Sequence, residues 1–197
     1  MSNSPGIKIA ISSCLLGEKV RYDGTDKKLD ILTRIPGDII TFIPVCPEVA
    51  IGMGIPRPPI QLVETSEGIQ ALQIDDPDKS FTEPLQAYGA KIANELKDIF
   101  GYIFKARSPS CGINSTPVFR SGEEHHKDAG LHAKQIMQQH PGLPIIEETT
   151  LTTLEQVQDF FSQVFKYSQQ KHATDPDLHE KQQNQLNHYL MGVINSP

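Results

Sequence analysis

Three times along this chain a short, apolar, β-branched run ends on or just before a cysteine. IKIAISS (7–13) leads into Cys14 and IITFIPV (39–45) into Cys46, while YIFKA (102–106) passes through Arg107-Ser108-Pro109-Ser110 to Cys111. Runs of this length and composition read as buried strands. Between the second and third, residues 82–100 carry Leu85, Tyr88, Ile92, Leu96 and Ile99 at helical spacing. Thr82 is placed to cap that helix, Pro84 suits its first turn, and Gly101 ends it. A hairpin is expected over 62–74 around Glu67-Gly68, and the Gly- and Pro-dense stretch 51–59 reads as a shaped loop. Residues 128–139 predict a helix, 143–147 a further buried strand, and 153–168 an amphipathic helix. The remainder is polar, with Leu186, Tyr189, Leu190 and Val193 able to form one short packed helix. Strands alternating with helices imply an α/β layer fold with a mainly parallel sheet. In such a fold all three cysteines reach one sheet edge, where functional crevices form.

What the cysteines do depends on where the chain works. No stretch is apolar enough to span a bilayer, and the N-terminus lacks the basic start, apolar core and cleavage site of a secretory signal. A cytoplasmic location is the expectation, and its reducing environment disfavours structural disulfides, as does the odd count of three. Cys14, Cys46 and Cys111 are separated by 32 and 65 residues with no CxxC pair, so this is not the spacing of a zinc ribbon or a ferredoxin motif. Three buried thiols acting as small hydrophobes is the plain reading. Three thiolates at the mouth of a sheet also suit a soft metal centre: a four-iron cluster with one open iron, or zinc with a fourth ligand. Glu48, two residues after Cys46, falls near the same edge and is a candidate general acid or base. Ser108 and Ser110 bring hydroxyls beside Cys111, and Gly17 and Gly112 suit close backbone approach. The net charge of −6 opposes broad nucleic-acid binding, with a local basic patch at Lys19, Arg21, Lys27 and Lys28.

The segments ISSCLLGEKVRYDG, VCPEVAIGMGIPRPPIQLV and YIFKARSPSCGI, in that order, resemble the thiouracil desulfidase family over about residues 7–148. The form of GMGIPRPPIQL and of AGLHAKQIMQQHPGLPIIEE is similar to the branch often fused to a helical domain and linked to 4-thiouridine in tRNA. The resemblance implies a Rossmann-like α/β domain at 1–150, a C-terminal helical extension at 151–197, and loss of most of the fused domain. It implies a [4Fe-4S] cluster on Cys14, Cys46 and Cys111, with Glu48 and the first serine of SPSC, Ser108, as catalytic residues. The implied reaction is non-redox: water replaces the sulfur of a thiolated uracil derivative and hydrogen sulfide is released. The substrate class runs from free thiouracil through a nucleotide to tRNA. Two features depart from the branch. Arg107 stands before SPSCG, and Glu123-Glu124-His125-His126 is expected to be a solvated loop, with a secondary metal site as the sharper alternative. Two other functions compete, a non-enzymatic sulfur or iron–sulfur carrier or partner of a separate helical domain, and a zinc hydrolase.

Overall fold

The structure, a computed structural model, describes residues 6–171 and 176–194. The chain runs β1 (Ile7–Ser12), a 3-10 turn (Ser13–Leu16), α1 (Asp30–Thr33), β2 (Ile40–Val45), α2 (Pro47–Ala50), β3 (Ile60–Thr65), β4 (Gly68–Gln73) and α3 (Thr82–Glu95). It continues through β5 (Gly101–Phe104), β6 (Thr116–Arg120), β7 (Glu123–Asp128), α4 (Leu131–Gln139), β8 (Ile145–Glu147), α5 (Leu154–Lys171) and α6 (Pro176–Ile194).

The principal sheet has the order β2-β1-β5-β8 and every pairing in it is parallel. Strand periodicity explains how it is covered. Ile7, Ile9 and Ile11 of β1 and Ile103 of β5 join Val157, Phe160, Phe161, Val164 and Phe165 of α5 and Leu186 and Leu190 of α6 on one face. Ala10, Tyr102 and Phe104 point the other way and join Ala93 of α3 and Ala133 and Ile136 of α4. Helices on both faces make this the expected Rossmann-like α/β arrangement. Gly101 permits the close approach of α5, since a Cβ there would stand 2.7 Å from Val164 Cγ2. The helix expected near the C-terminus is α6, which at 19 residues is not the short one expected. Tyr189 packs against the core beside Leu186 and Leu190, and the side chain of Val193 lies outside the described residues.

A second sheet, β4-β3-β6-β7, stands beside the first. Its β3–β4 hairpin is the one expected, its β3–β6 pairing is parallel, and β7 closes the edge antiparallel to β6. Leu62, Ala71 and Val118 bury against Leu85 of α3 and Leu131 of α4.

Three expectations are corrected. Residues 123–126 form strand and not a solvated loop: EEHHKD pairs through its backbone as an edge strand with almost every side chain exposed. The helix expected to run to residue 100 stops at Glu95. It gives way to a turn at Lys97-Asp98 that lets Ile99 bury before β5. Thr82 does not cap α3, because the capping position is Phe81. The Thr82 hydroxyl oxygen instead accepts the Ala71 N–H at 2.9 Å, tying the helix start to β4.

Candidate active site

The sheet order places the cysteines. Cys14 lies in the 3-10 turn leaving β1, Cys46 immediately follows β2, and Cys111 sits in the loop after β5. These strands are neighbours with β1 in the middle, where the chain switches from building one side of the sheet to building the other. Beyond their carboxyl ends opens a cleft of about 490 Å³ lined by Cys14, Cys46, Cys111, Glu48 and Ser108. The three cysteines, Glu48 and Ser108 therefore meet in one cleft, whereas Ser110, Gly17 and Gly112 do not line it.

Burial dominates the chemistry of the thiols. It pushes Cys14 up to about 12, with the nearby Cys46 and Glu148 adding to the rise and Lys105 and Arg21 opposing it. Cys111 is raised well above the ordinary thiol range, again by burial first, then by Glu48, Cys46 and Cys14, against a hydrogen bond with the Ser12 hydroxyl. Burial also raises Cys46. Three desolvated sulfurs that repel one another as thiolates are a poor arrangement for free thiols. They suit a cationic centre that neutralises them.

The donor set bears on which centre fits. Three thiols line the cleft and no imidazole lines it beside them, a soft, all-sulfur set that suits an iron–sulfur cluster with one iron left open.

Glu48 sits in the first turn of α2, behind Pro47. Its Oε2 accepts hydrogen bonds from Arg57 Nε at 2.8 Å and pairs with Arg57 Nη2 at 2.7 Å, and its Oε1 accepts the Ser110 hydroxyl at 2.8 Å. Arg57 also donates from Nη1 to the carbonyls of Val20 at 2.9 Å and Gly54 at 3.0 Å. A planar guanidinium thus pins the carboxylate and two loops together, which a flexible ammonium would do poorly.

The Cys111 loop is held from both sides. Ser108 Oγ accepts the N–H groups of Cys111 at 3.1 Å and Ser110 at 3.3 Å, so this hydroxyl builds the turn and keeps its own proton to donate. Gly112 is required there, because a Cβ would meet Thr116 Oγ1 at 2.1 Å while that hydroxyl donates to Ser108 O. From the end of β8, Glu147 accepts Ile113 N–H and the Ser115 hydroxyl, both at 2.7 Å. Glu148 accepts Ala106 N–H and pairs with Lys105, both at 2.5 Å. Arg107 adopts φ 59°, a left-handed conformation rare for a side-chain-bearing residue and typical of over-determined functional loops.

Sequence reasoning missed Arg57, Ser12, Lys105 and the Glu147–Glu148 pair, each of which acts through tertiary contacts. It expected a basic patch, of which Arg21 and Lys27 line the cleft together with Lys105 and Arg107.

Fold and cleft together define a class: an α/β protein with three free cysteines gathered at the carboxyl edge of a parallel sheet, faced by an oriented carboxylate. Comparison with known proteins gives the family. The 2-thiouracil desulfurase family matches residues 9–148, and the chain belongs to it. A solved structure described as the [4Fe-4S]-dependent thiouracil desulfidase TudS is similar, with TM-score 0.54 and 27% identity over 74% of this chain and 93% of that one. No curated protein matches the sequence.

Proposed function

We propose that the chain is a [4Fe-4S]-dependent desulfidase that replaces the sulfur of a thiolated uracil base or nucleotide with the oxygen of water, releasing hydrogen sulfide. The observation that carries this reading is the Glu48 carboxylate, fixed between Arg57 and Ser110 in a cleft lined by three cysteines. Membership of the family and the likeness to TudS support it.

Cys14, Cys46 and Cys111 would hold the cluster. With three protein ligands for four irons, it supplies one open, thiophilic iron as Lewis acid toward the C=S sulfur. The side chains do the rest. Glu48 receives a proton from the attacking water, and Arg57 and Ser110 hold both its oxygens in place for that transfer. Ser108, already accepting from two backbone N–H groups, directs its hydroxyl proton to the departing sulfur. The balance is C=S plus H2O giving C=O plus H2S, with no change of oxidation state. Lys27 and Arg107 at the cleft are exposed cations suited to the phosphate of a nucleotide. Three free cysteines in one protein accord with a reducing, cytoplasmic setting.

The test is anaerobic reconstitution with iron and sulfide, expected to give about four irons per chain, the content of one cluster. The loaded protein is then incubated with 2-thiouracil, 4-thiouridine monophosphate and thiolated tRNA. Loss of the thiocarbonyl absorbance with matching sulfide supports the desulfidase and ranks the substrates, tRNA included. A loaded cluster that leaves all three unchanged indicates a carrier instead, and protein isolated with zinc and unable to take up iron indicates a zinc enzyme.

A further inference from the structure

Away from the cleft, the edge of the second sheet gathers two imidazoles on one carboxylate. Consecutive residues of a regular strand point to opposite faces, so His125 and His126 should diverge. They do not, because the β6–β7 ladder is irregular between Val118 and Phe119: Val118 pairs with His126 and Phe119 with Glu124. His125 is the extra residue of a bulge, a device that re-aims a side chain. The result brings His125 Nε2 to 3.9 Å and His126 Nδ1 to 4.0 Å from the same oxygen, Oε2 of Glu64 on β3.

The state of that carboxylate is the second observation. Its Oε1 is occupied by Arg120 Nη2 at 2.6 Å. Its Oε2 is buried at the atomic level yet has no hydrogen-bond partner. A buried carboxylate oxygen without a donor is costly unless something cationic meets it. All three ligand atoms lie within 4.8 Å of one another. Metal–ligand bonds of about 2.0–2.2 Å need ligand separations of about 3.3 Å, so each histidine must close on the Glu64 oxygen from 3.9 and 4.0 Å by about 0.6–0.7 Å, which two exposed rings can do by rotation.

We propose that Glu64, His125 and His126 form a binding site for a divalent transition-metal ion, best fitted by Zn2+, separate from the cysteine cleft. Two imidazoles and one carboxylate are a borderline donor set that suits zinc and leaves its fourth position to water. The site reaches from β3 across β6 to β7. β3 and β6 also supply Ile60, Gln61, Thr116 and Phe119 to the wall of the cleft. Occupancy therefore clamps that wall without entering the chemistry.

The experiment uses the cluster-loaded protein, so that the cysteines are occupied, dialysed anaerobically against micromolar zinc chloride. Zinc and iron are counted by mass spectrometry, and thermal unfolding is recorded with and without zinc. The expected result is about one zinc per chain with iron content unchanged, and a zinc-dependent rise in Tm as for any ligand that binds only the folded state. The double variant His125→Ala/His126→Ala should lose both, and Glu64→Gln should weaken zinc binding by about tenfold or more. Both histidines are exposed, so the double variant should keep its iron content and circular dichroism. Zinc uptake by the double variant equal to that of the parent overturns the assignment, as does a parent protein that takes up no zinc.

Discussion

Removing the Arg57 guanidinium is the sharpest test of how the site is built. Its side chain is 3% exposed and that of Glu48 is 13%, so their ion pair is largely out of water. Arg57→Ala leaves the Glu48 Oε2 and the carbonyls of Val20 and Gly54 without those donors. Breaking a buried pair by deleting one partner costs about 3–5 kcal/mol. For a chain of this size each kcal/mol moves Tm by about 2–4 °C, so the variant should melt about 6–20 °C lower. Arg57→Lys keeps the charge but not the fork. It should recover part of the stability and little of the turnover, because an ammonium cannot hold Glu48 and both loops at once. The assay is thermal unfolding of iron-loaded protein beside sulfide release, with iron content measured on the same samples. A loss under about 1 kcal/mol, the range of solvent-screened surface pairs, with full turnover would refute the claim that Arg57 orients Glu48.

Cys111→Ser should fail to hold the cluster after reconstitution; four retained irons in an iron assay would remove Cys111 from the ligand set. Glu48→Ala should keep its iron and lose about 10²–10⁴-fold in turnover, the range for general acid–base groups, and full activity in the sulfide assay would exclude it. Phe160→Ala in α5, buried against β1, should cost about 3–5 kcal/mol in denaturant unfolding. His132, fully buried with Nε2 3.1 Å from the Tyr102 hydroxyl, is held down to about 3 by burial, so it folds neutral. Its unfolded form titrates near 6.5 and binds the proton first as pH falls. Stability is full above that pH and lost from about 6.5 down toward 3, at about 1.4 kcal/mol per pH unit. His132→Phe should flatten the dependence of unfolding free energy on pH between 6.5 and 5 by about that slope, and an unchanged slope would count against a neutral buried imidazole.

How far the sequence reaches depends on which interactions leave a periodic trace. β1, β2 and β5 were legible because Ile9, Ile40 and Ile103 are buried in short apolar runs, and each run had a cysteine at or soon after its end. β7 was not, since EEHHKD buries almost nothing and owes its place to backbone pairing with β6. The same blindness hid the supports of the site. Arg57 stands among prolines in a loop, and only the fold shows that it lies on Glu48. Ser108 and Ser110 look alike in SPSC, yet Ser110 is the one that donates to the carboxylate while Ser108 ties the turn that carries Cys111.

That division of labour sharpens the roles proposed for the two serines. If Ser108 acted only through the turn, Ser108→Ala should loosen Cys111 and lower iron content along with activity. If its hydroxyl proton also reaches the departing sulfur, a fully loaded Ser108→Ala should still turn over slowly. Ser110→Ala should keep its iron and disturb only Glu48, appearing as a loss of turnover at unchanged iron content. Measuring iron and rate on the same samples separates the two, because a rate that merely tracks iron leaves no proton-donor role for Ser108.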